Sequence, residues 1–190
     1  MFNLVEWSPN LDLTDFYKEA GLRGFINNSS QQAMIDCFHN EREWAAWILY
    51  QNGQAVGSVA AHSFDDVMGP NSYRILTRVC AFAESAPRTG LLTVNKMMRK
   101  HQHISDQFYL PQCIEWAGKS SNLYATSNNN KSASQSLVHN YYFPTLEEMG
   151  IVEKIKDLFY RGTHQTIWKF NVGAFEESLN KNIRWSHMLK

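Results

Sequence analysis

Apolar and polar residues change period several times along the chain, and each change marks an element. Alternation over Phe2–Trp7 predicts a short strand, and helical spacing next predicts a helix over Leu13–Ala20, opened by Asp12 or Thr14 and closed at Gly21. Ala33, Met34, Cys37 and Phe38 recur at helical spacing after Asn28-Ser29-Ser30, which predicts a second helix over Ser30–Phe38. The sharpest signal is Asn52-Gly53 between the apolar runs Trp44–Gln51 and Gln54–Phe64. These two residues tolerate the positive φ of a type I′ turn, so the runs should form an antiparallel hairpin. Tyr73–Phe82 is apolar on both faces and follows the turn Met68-Gly69-Pro70-Asn71, as expected of a central strand that is third in a meander.

Leu91, Leu92, Val94, Met97 and Met98 form the buried stripe of a helix over Gly90–Lys100, and a further helical piece covers Pro111–Ala117. A strand over Asn122–Thr126 leads through an Asn-rich turn into a helix over Ser132–Tyr142. Pro144 is expected to break that helix, and Thr145-Leu146-Glu147-Glu148 has capping-box spacing for a brief new one ending at Gly150. Strands Val152–Tyr160 and Thr163–Asn171 meet at Arg161-Gly162, and a last helix, Ala174–Asn180, leads into a tail. Repeats and Pro/Gly/Ser-rich linkers are absent from the sequence, so 1–172 is read as one domain and 173–190 as a C-terminal helix and tail.

Charge and composition narrow the function classes. With Lys+Arg 18 against Asp+Glu 18, the chain lacks the basic footprint of a nonspecific nucleic-acid or membrane-surface binder. Trp116, Trp168 and Trp185 therefore read as packing residues and not as a base-stacking platform. A hydrophobic share of 44% in 190 residues is enough for a core. No apolar run reaches the roughly 18 residues of a membrane span, and Met1–Asn10 is too polar for a signal peptide, so a soluble cytoplasmic protein is expected. Cys37, Cys80 and Cys113 are odd in number and read as buried thiols of a reducing compartment. His101-Gln102-His103 with Cys113 lacks metal-ligand spacing, so no metal is expected. Ser136 and His139 are helix neighbours without a nucleophile elbow, which speaks against a serine hydrolase.

Two charges stand out against the apolar strand Tyr73–Phe82. Arg74 and Arg78 share one face of it, and a charge there is costly unless paired. Two readings follow: the pair lines a cleft and binds an anionic part of a substrate or cofactor, or it forms ion pairs with Asp65, Asp66 or Glu115.

The order β-α-α-β-β-β-α-β-α-β-β over Phe2–Asn171, about nine tenths of the chain, resembles that of the GNAT superfamily of acyl-CoA-dependent N-acyltransferases. The resemblance implies an α/β fold with a mixed, mostly antiparallel, twisted sheet flanked by helices. It also implies a cleft for the pantetheine arm where the fourth and fifth strands stop pairing. In that family a Gln/Arg-x-x-Gly-x-Gly/Ala loop after the fourth strand holds the pyrophosphate of coenzyme A on backbone N–H groups. The matching segment here is Pro87-Arg88-Thr89-Gly90-Leu91-Leu92, in which Gly90 alone fits, Arg88 is shifted by one place and Leu92 replaces the final small residue. Asn130-Lys131-Ser132-Ala133 matches the family's Asn-x-x-Ala, whereas the Tyr that protonates the departing thiolate is replaced by Leu137 or, in another register, Leu146.

The resemblance implies acetyl-CoA or another acyl-CoA as cosubstrate, and a small-molecule or protein amine as acceptor. Cofactor contacts then fall to Phe82 and Ala83, whose backbone N–H groups face the thioester carbonyl, to Arg88, Thr89, Gly90, Leu91 and Leu92, and to Asn130. Glu84 and His62 are candidate bases. Tyr142 and Tyr141 are candidate acids, because a phenol at pKa ~10 is within reach of a thiol at ~8.5; the alternative is that both are core aromatics beside Phe143. The degenerate loop and the missing Tyr leave a second reading open, a GNAT-like domain without catalysis that binds a ligand or protein.

Overall fold

The structure, a computed structural model, describes residues 2–16, 43–79, 110–128, 139–140, 143–160 and 162–180. The predicted helices over Ser30–Phe38 and Gly90–Lys100 lie outside these residues, as do the end of the strand predicted to reach Phe82 and most of the helix predicted over Ser132–Tyr142.

Seven strands form one sheet among the described residues, in the order β1-β2-β3-β4-β5-β7-β6. They are β1 (Phe2–Glu6), β2 (Trp44–Gln51), β3 (Gln54–Ser63), β4 (Ser72–Val79), β5 (Asn122–Asn128), β6 (Val152–Tyr160) and β7 (Thr163–Phe170). Every neighbouring pair is antiparallel except β4 and β5, so the sheet is mixed and mostly antiparallel, as expected.

The β2–β3 hairpin turns at Asn52 (φ 51°) and Gly53 (φ 83°), both in the left-handed region that a type I′ turn needs. Its register moves from Tyr50↔Ala55 to Leu49↔Gly57, leaving Val56 as an extra residue on β3. That bulge was not legible in the sequence. β3 stops one residue short of Phe64, which begins a connector containing the short helix Asp65–Met68. The connector is tied to the start of β5: the Asn71 amide donates to the Ser120 carbonyl (3.1 Å), Ser121 Oγ donates to Asn71 Oδ1 (2.9 Å), and Asn122 N donates to the Asn71 carbonyl (3.0 Å). These bonds set the register in which Ser72 faces Asn122 and the parallel ladder starts.

Helix Phe143–Glu148 corrects the predicted capping box. It begins two residues before Thr145, so Thr145 sits inside the helix and Pro144 occupies its first turn, where a missing N–H is harmless. Its end is a Schellman motif, with Ile151 N donating to Leu146 O, Gly150 N donating to Glu147 O, and Gly150 at φ 71°. Leu146 and Ile151 are buried together in the core. The last helix, Val172–Asn180, starts two residues earlier than predicted because Asn171 leaves β7 to cap it, its Oδ1 accepting from Ala174 N at 3.1 Å.

Alternation along the strands sorts the core onto two faces. On one face Trp47 and Tyr73 meet Trp116 of the helical residues 110–117, while Trp168 stacks on Phe143 with ring centroids 5.1 Å apart. Cys113 is a buried thiol within that core, which Phe175 of the last helix also joins. The opposite face carries a smaller cluster of Phe64, Tyr124 and Ile167 with Leu158 and Tyr160 against it. Among the described residues no helix is long and apolar enough to cross a membrane.

Candidate functional site

The one parallel pairing creates the feature that dominates the sheet. β4 and β5 pair from Ser72↔Asn122 to Ile75↔Ala125, and there their ladder ends. Both strands continue, β4 held by β3 as far as Val79↔Gly57 and β5 held by β7 as far as Asn128↔Gln165. The sheet therefore forks, and among the described residues neither prong has a ladder partner on the edge it turns toward the other. Backbone N–H and C=O groups on such edges need partners beyond the ladder, and the fork is the candidate site.

Arg74 clasps the root of the fork. Its Nε and Nη2 both donate to Thr126 Oγ1, at 3.0 and 2.6 Å, bridging β4 to β5 one position beyond the last ladder pair on β5. The guanidinium carbon lies 5.1 Å from the centre of the Tyr160 ring, and the residue is 5% exposed. Phe64 packs between Tyr124 (6.1 Å) and Tyr160 (5.5 Å) on the same face. A desolvated charge here is compensated by the hydroxyl and the aromatic face. Across β3, His62 stands opposite Arg74, fully buried, and its Nδ1 lies 2.8 Å from the Ser63 carbonyl. A carbonyl only accepts, so Nδ1 carries the proton and Nε2 is the basic nitrogen.

The other face of β5 carries a second polar chain. Leu123, Ala125 and Ser127 alternate onto the apolar side, and Ser127 is buried there. Trp168 Nε1 donates to Ser127 Oγ at 2.8 Å, and Ser127 Oγ lies 2.8 Å from His139 Nδ1. Because an indole N–H only donates, the Ser127 proton is free to point at His139 Nδ1, which places the neutral imidazole proton on Nε2. Burial holds His139 below its usual pKa, with the Asp157 charge pulling upward and Lys154 downward. Asp157 is itself lowered, first by the hydrogen bond from Thr166 and then by that from Lys154.

Comparison with solved structures matches this architecture nearly end to end. A probable acetyltransferase of the GNAT family from Chromobacterium violaceum aligns over 92% of this chain and 90% of its own, with a TM-score of 0.59 and 8% identity. The aminoglycoside acetyltransferase AAC(6')-Ib, in complex with coenzyme A and kanamycin, aligns over 94% and 99% with a TM-score of 0.56 and 11% identity. A probable acetyltransferase from Staphylococcus epidermidis aligns over 90% and 98% with a TM-score of 0.55 and 10% identity. The chain has the GNAT acetyltransferase fold. No family sequence profile and no curated protein matches it, so the likeness is carried by the GNAT architecture and not by sequence.

Within the GNAT fold, Arg74 and Arg78 of β4 stand in register with His62 and Ser58 of β3. Arg74 and His62 are thus in register at the root of the fork, where Arg74 meets Thr126 and Tyr160. Phe82, Ala83, Glu84, Arg88, Thr89, Gly90, Leu91, Leu92, Asn130, Tyr141 and Tyr142 lie outside the described residues. Sequence reasoning missed Thr126, Ser127, Tyr160 and the link from Trp168 to His139. One signal was present: Ser127 continues an apolar alternation at a buried position, and a buried hydroxyl requires a partner.

Proposed function

We propose that this chain transfers an acyl group, most simply acetyl, from acyl-CoA to an amine of a small molecule or protein. The fork between β4 and β5 is the observation that carries the reading, since it opens in the middle of a sheet whose fold is shared with an acetyltransferase bound to coenzyme A. In this reading the pantetheine amides pair with the strand edges that face the fork. Backbone N–H groups of Phe82 or Ala83 polarise the thioester carbonyl, and the pyrophosphate rests on Arg88–Leu92 with Asn130 nearby. The amine nitrogen, having lost a proton through water to Glu84 or His62, attacks the carbonyl carbon. The C–S bond then breaks, and Tyr142 or Tyr141 gives the departing thiolate its proton. Arg74 and Arg78 face the anionic part of substrate or cofactor.

Acetyl-CoA at about 100 times its Kd should stabilise the fold by ~2.7 kcal/mol and raise Tm by roughly 5–10 °C, an effect that Gly90→Val removes. No shift at millimolar acetyl-CoA, with flat calorimetry, overturns the reading. The loop Pro87–Leu92, with one glycine in place, and the absence of Tyr at Leu137 and Leu146 favour a second reading, a binding domain without turnover. Binding of acetyl-CoA without acetylation of any amine in a broad panel selects it.

A further inference from the structure

A pocket of about 410 Å³ lies at the start of β4, away from the open end of the fork, lined by Glu43, Trp44, Tyr73 and Trp116. Its walls are set by the sheet. Ser63 N donates to the Glu43 carbonyl at 2.9 Å and Ser63 is paired with Tyr73, so Glu43 and Tyr73 stand on the same face with one strand between them. Tyr73 OH donates to Glu43 Oε2 at 3.1 Å. The Tyr73 ring meets Trp116 at 5.3 Å between centroids and 78° between planes, and Trp116 is braced in turn by Trp47 at 6.4 Å. Burial, the bond to Glu43 and the charges of Glu43 and Asp65 all hold the Tyr73 phenol in its protonated form.

The chemistry of this pocket selects its ligand. Glu43 is exposed and has no ion-pair partner among the described residues, whose pairs are Lys119–Glu176 and Lys154–Asp157. With Tyr73 donating to the carboxylate, the phenol oxygen keeps its lone pairs, so among the described residues the polar wall consists of acceptors. Acceptors beside electron-rich rings favour a cation that carries N–H donors. An anion is repelled by Glu43, and a neutral alkyl group desolvates the carboxylate without return. We propose that this pocket binds a primary alkylammonium ion, its N–H groups on Glu43 and Tyr73 and its charge against the Trp116–Tyr73 corner. The site does not depend on acyl transfer, because the fork opens beyond Ile75 while this pocket is built on Tyr73.

The test is titration of the full chain, without acetyl-CoA, by n-butylammonium chloride at constant ionic strength and pH 7, followed by tryptophan fluorescence and calorimetry. The expected result is saturable binding that 1-butanol, the neutral isostere, does not reproduce. Glu43→Gln should weaken it by about tenfold or more and Tyr73→Phe by several-fold. Glu43 is a surface residue, so its variant reports even if Tyr73→Phe disturbs the fold. Three results overturn the proposal: no saturation by about 50 mM, equal binding of butanol, or unchanged affinity in Glu43→Gln. Loss of acetyl-CoA binding elsewhere in the molecule leaves this titration unaffected, so the two readings fail separately.

Discussion

Arg74→Met removes the clasp at the root of the fork while keeping most of the side-chain volume. The guanidinium makes two charge-assisted bonds to one hydroxyl, at 3.0 and 2.6 Å, and lies 5.1 Å from the Tyr160 ring centre. Bonds of this type contribute ~1.5–3 kcal/mol net, and a desolvated cation–π contact adds ~0.5–2. Against these, methionine no longer carries the desolvation penalty of a charge in a residue only 5% exposed, which returns part of the loss. The balance is a destabilisation of about 2 kcal/mol, or roughly 4–8 °C in Tm for a chain of this size. Urea unfolding of Arg74→Met, Thr126→Val and the double variant measures it, with the cycle isolating a coupling of about 1–2 kcal/mol between the two residues. A coupling under about 0.5 kcal/mol would show that the bridge across the fork contributes nothing to stability. Arg74→Lys should recover only part of the loss, because an ammonium cannot present the same planar pair of donors.

The pH dependence of stability follows from His139 and Asp157. The folded state holds His139 below its ordinary 6.5, so its contribution is full above that value and is lost as pH falls through 6.5 toward the folded pKa. Melting curves between pH 5 and 7 should therefore slope upward with pH, and His139→Gln should flatten them; an unchanged slope places the titration elsewhere. Asp157, lowered from 3.8, acts in a separate acid window: its contribution is present above 3.8 and disappears as pH falls through its folded value, a loss that Asp157→Asn should abolish. Asn171→Ala should cost about 1 kcal/mol by removing the cap on Ala174 N, and an equal Tm in the variant would show that the last helix does not need it.

Local sequence determined the pieces whose signals span a few residues. Asn52-Gly53 fixed the hairpin because only residues tolerant of positive φ fit both turn positions, and both adopt it. The spacing of apolar residues placed β2 through β7 within one or two residues of their observed starts, since half-buried strands must alternate. The order of those elements was enough to evoke a GNAT fold, and the sheet has that topology. Thr145 was misplaced for the opposite reason: its capping-box pattern is local, but the core position of Phe143 and the Schellman end at Gly150 decided where that helix sits.

What the sequence could not determine depends on pairings made across long separations. Arg74 and Thr126 are 52 residues apart and Ser127 and Trp168 are 41 apart, distances at which no local pattern specifies a partner. Arg74 announced only that a charge in an apolar strand needs compensation, and several acidic residues were equally eligible on paper. The parallel register of β4 and β5, anchored by Asn71 and Ser121, brought Thr126 beneath the guanidinium and ended the ladder at Ile75↔Ala125. Glu43 and Tyr73 likewise share a pocket only because β3 lies between them in register. Alternation tells a strand which face is buried; the register of its neighbours, set by the whole sheet, decides which side chains meet there.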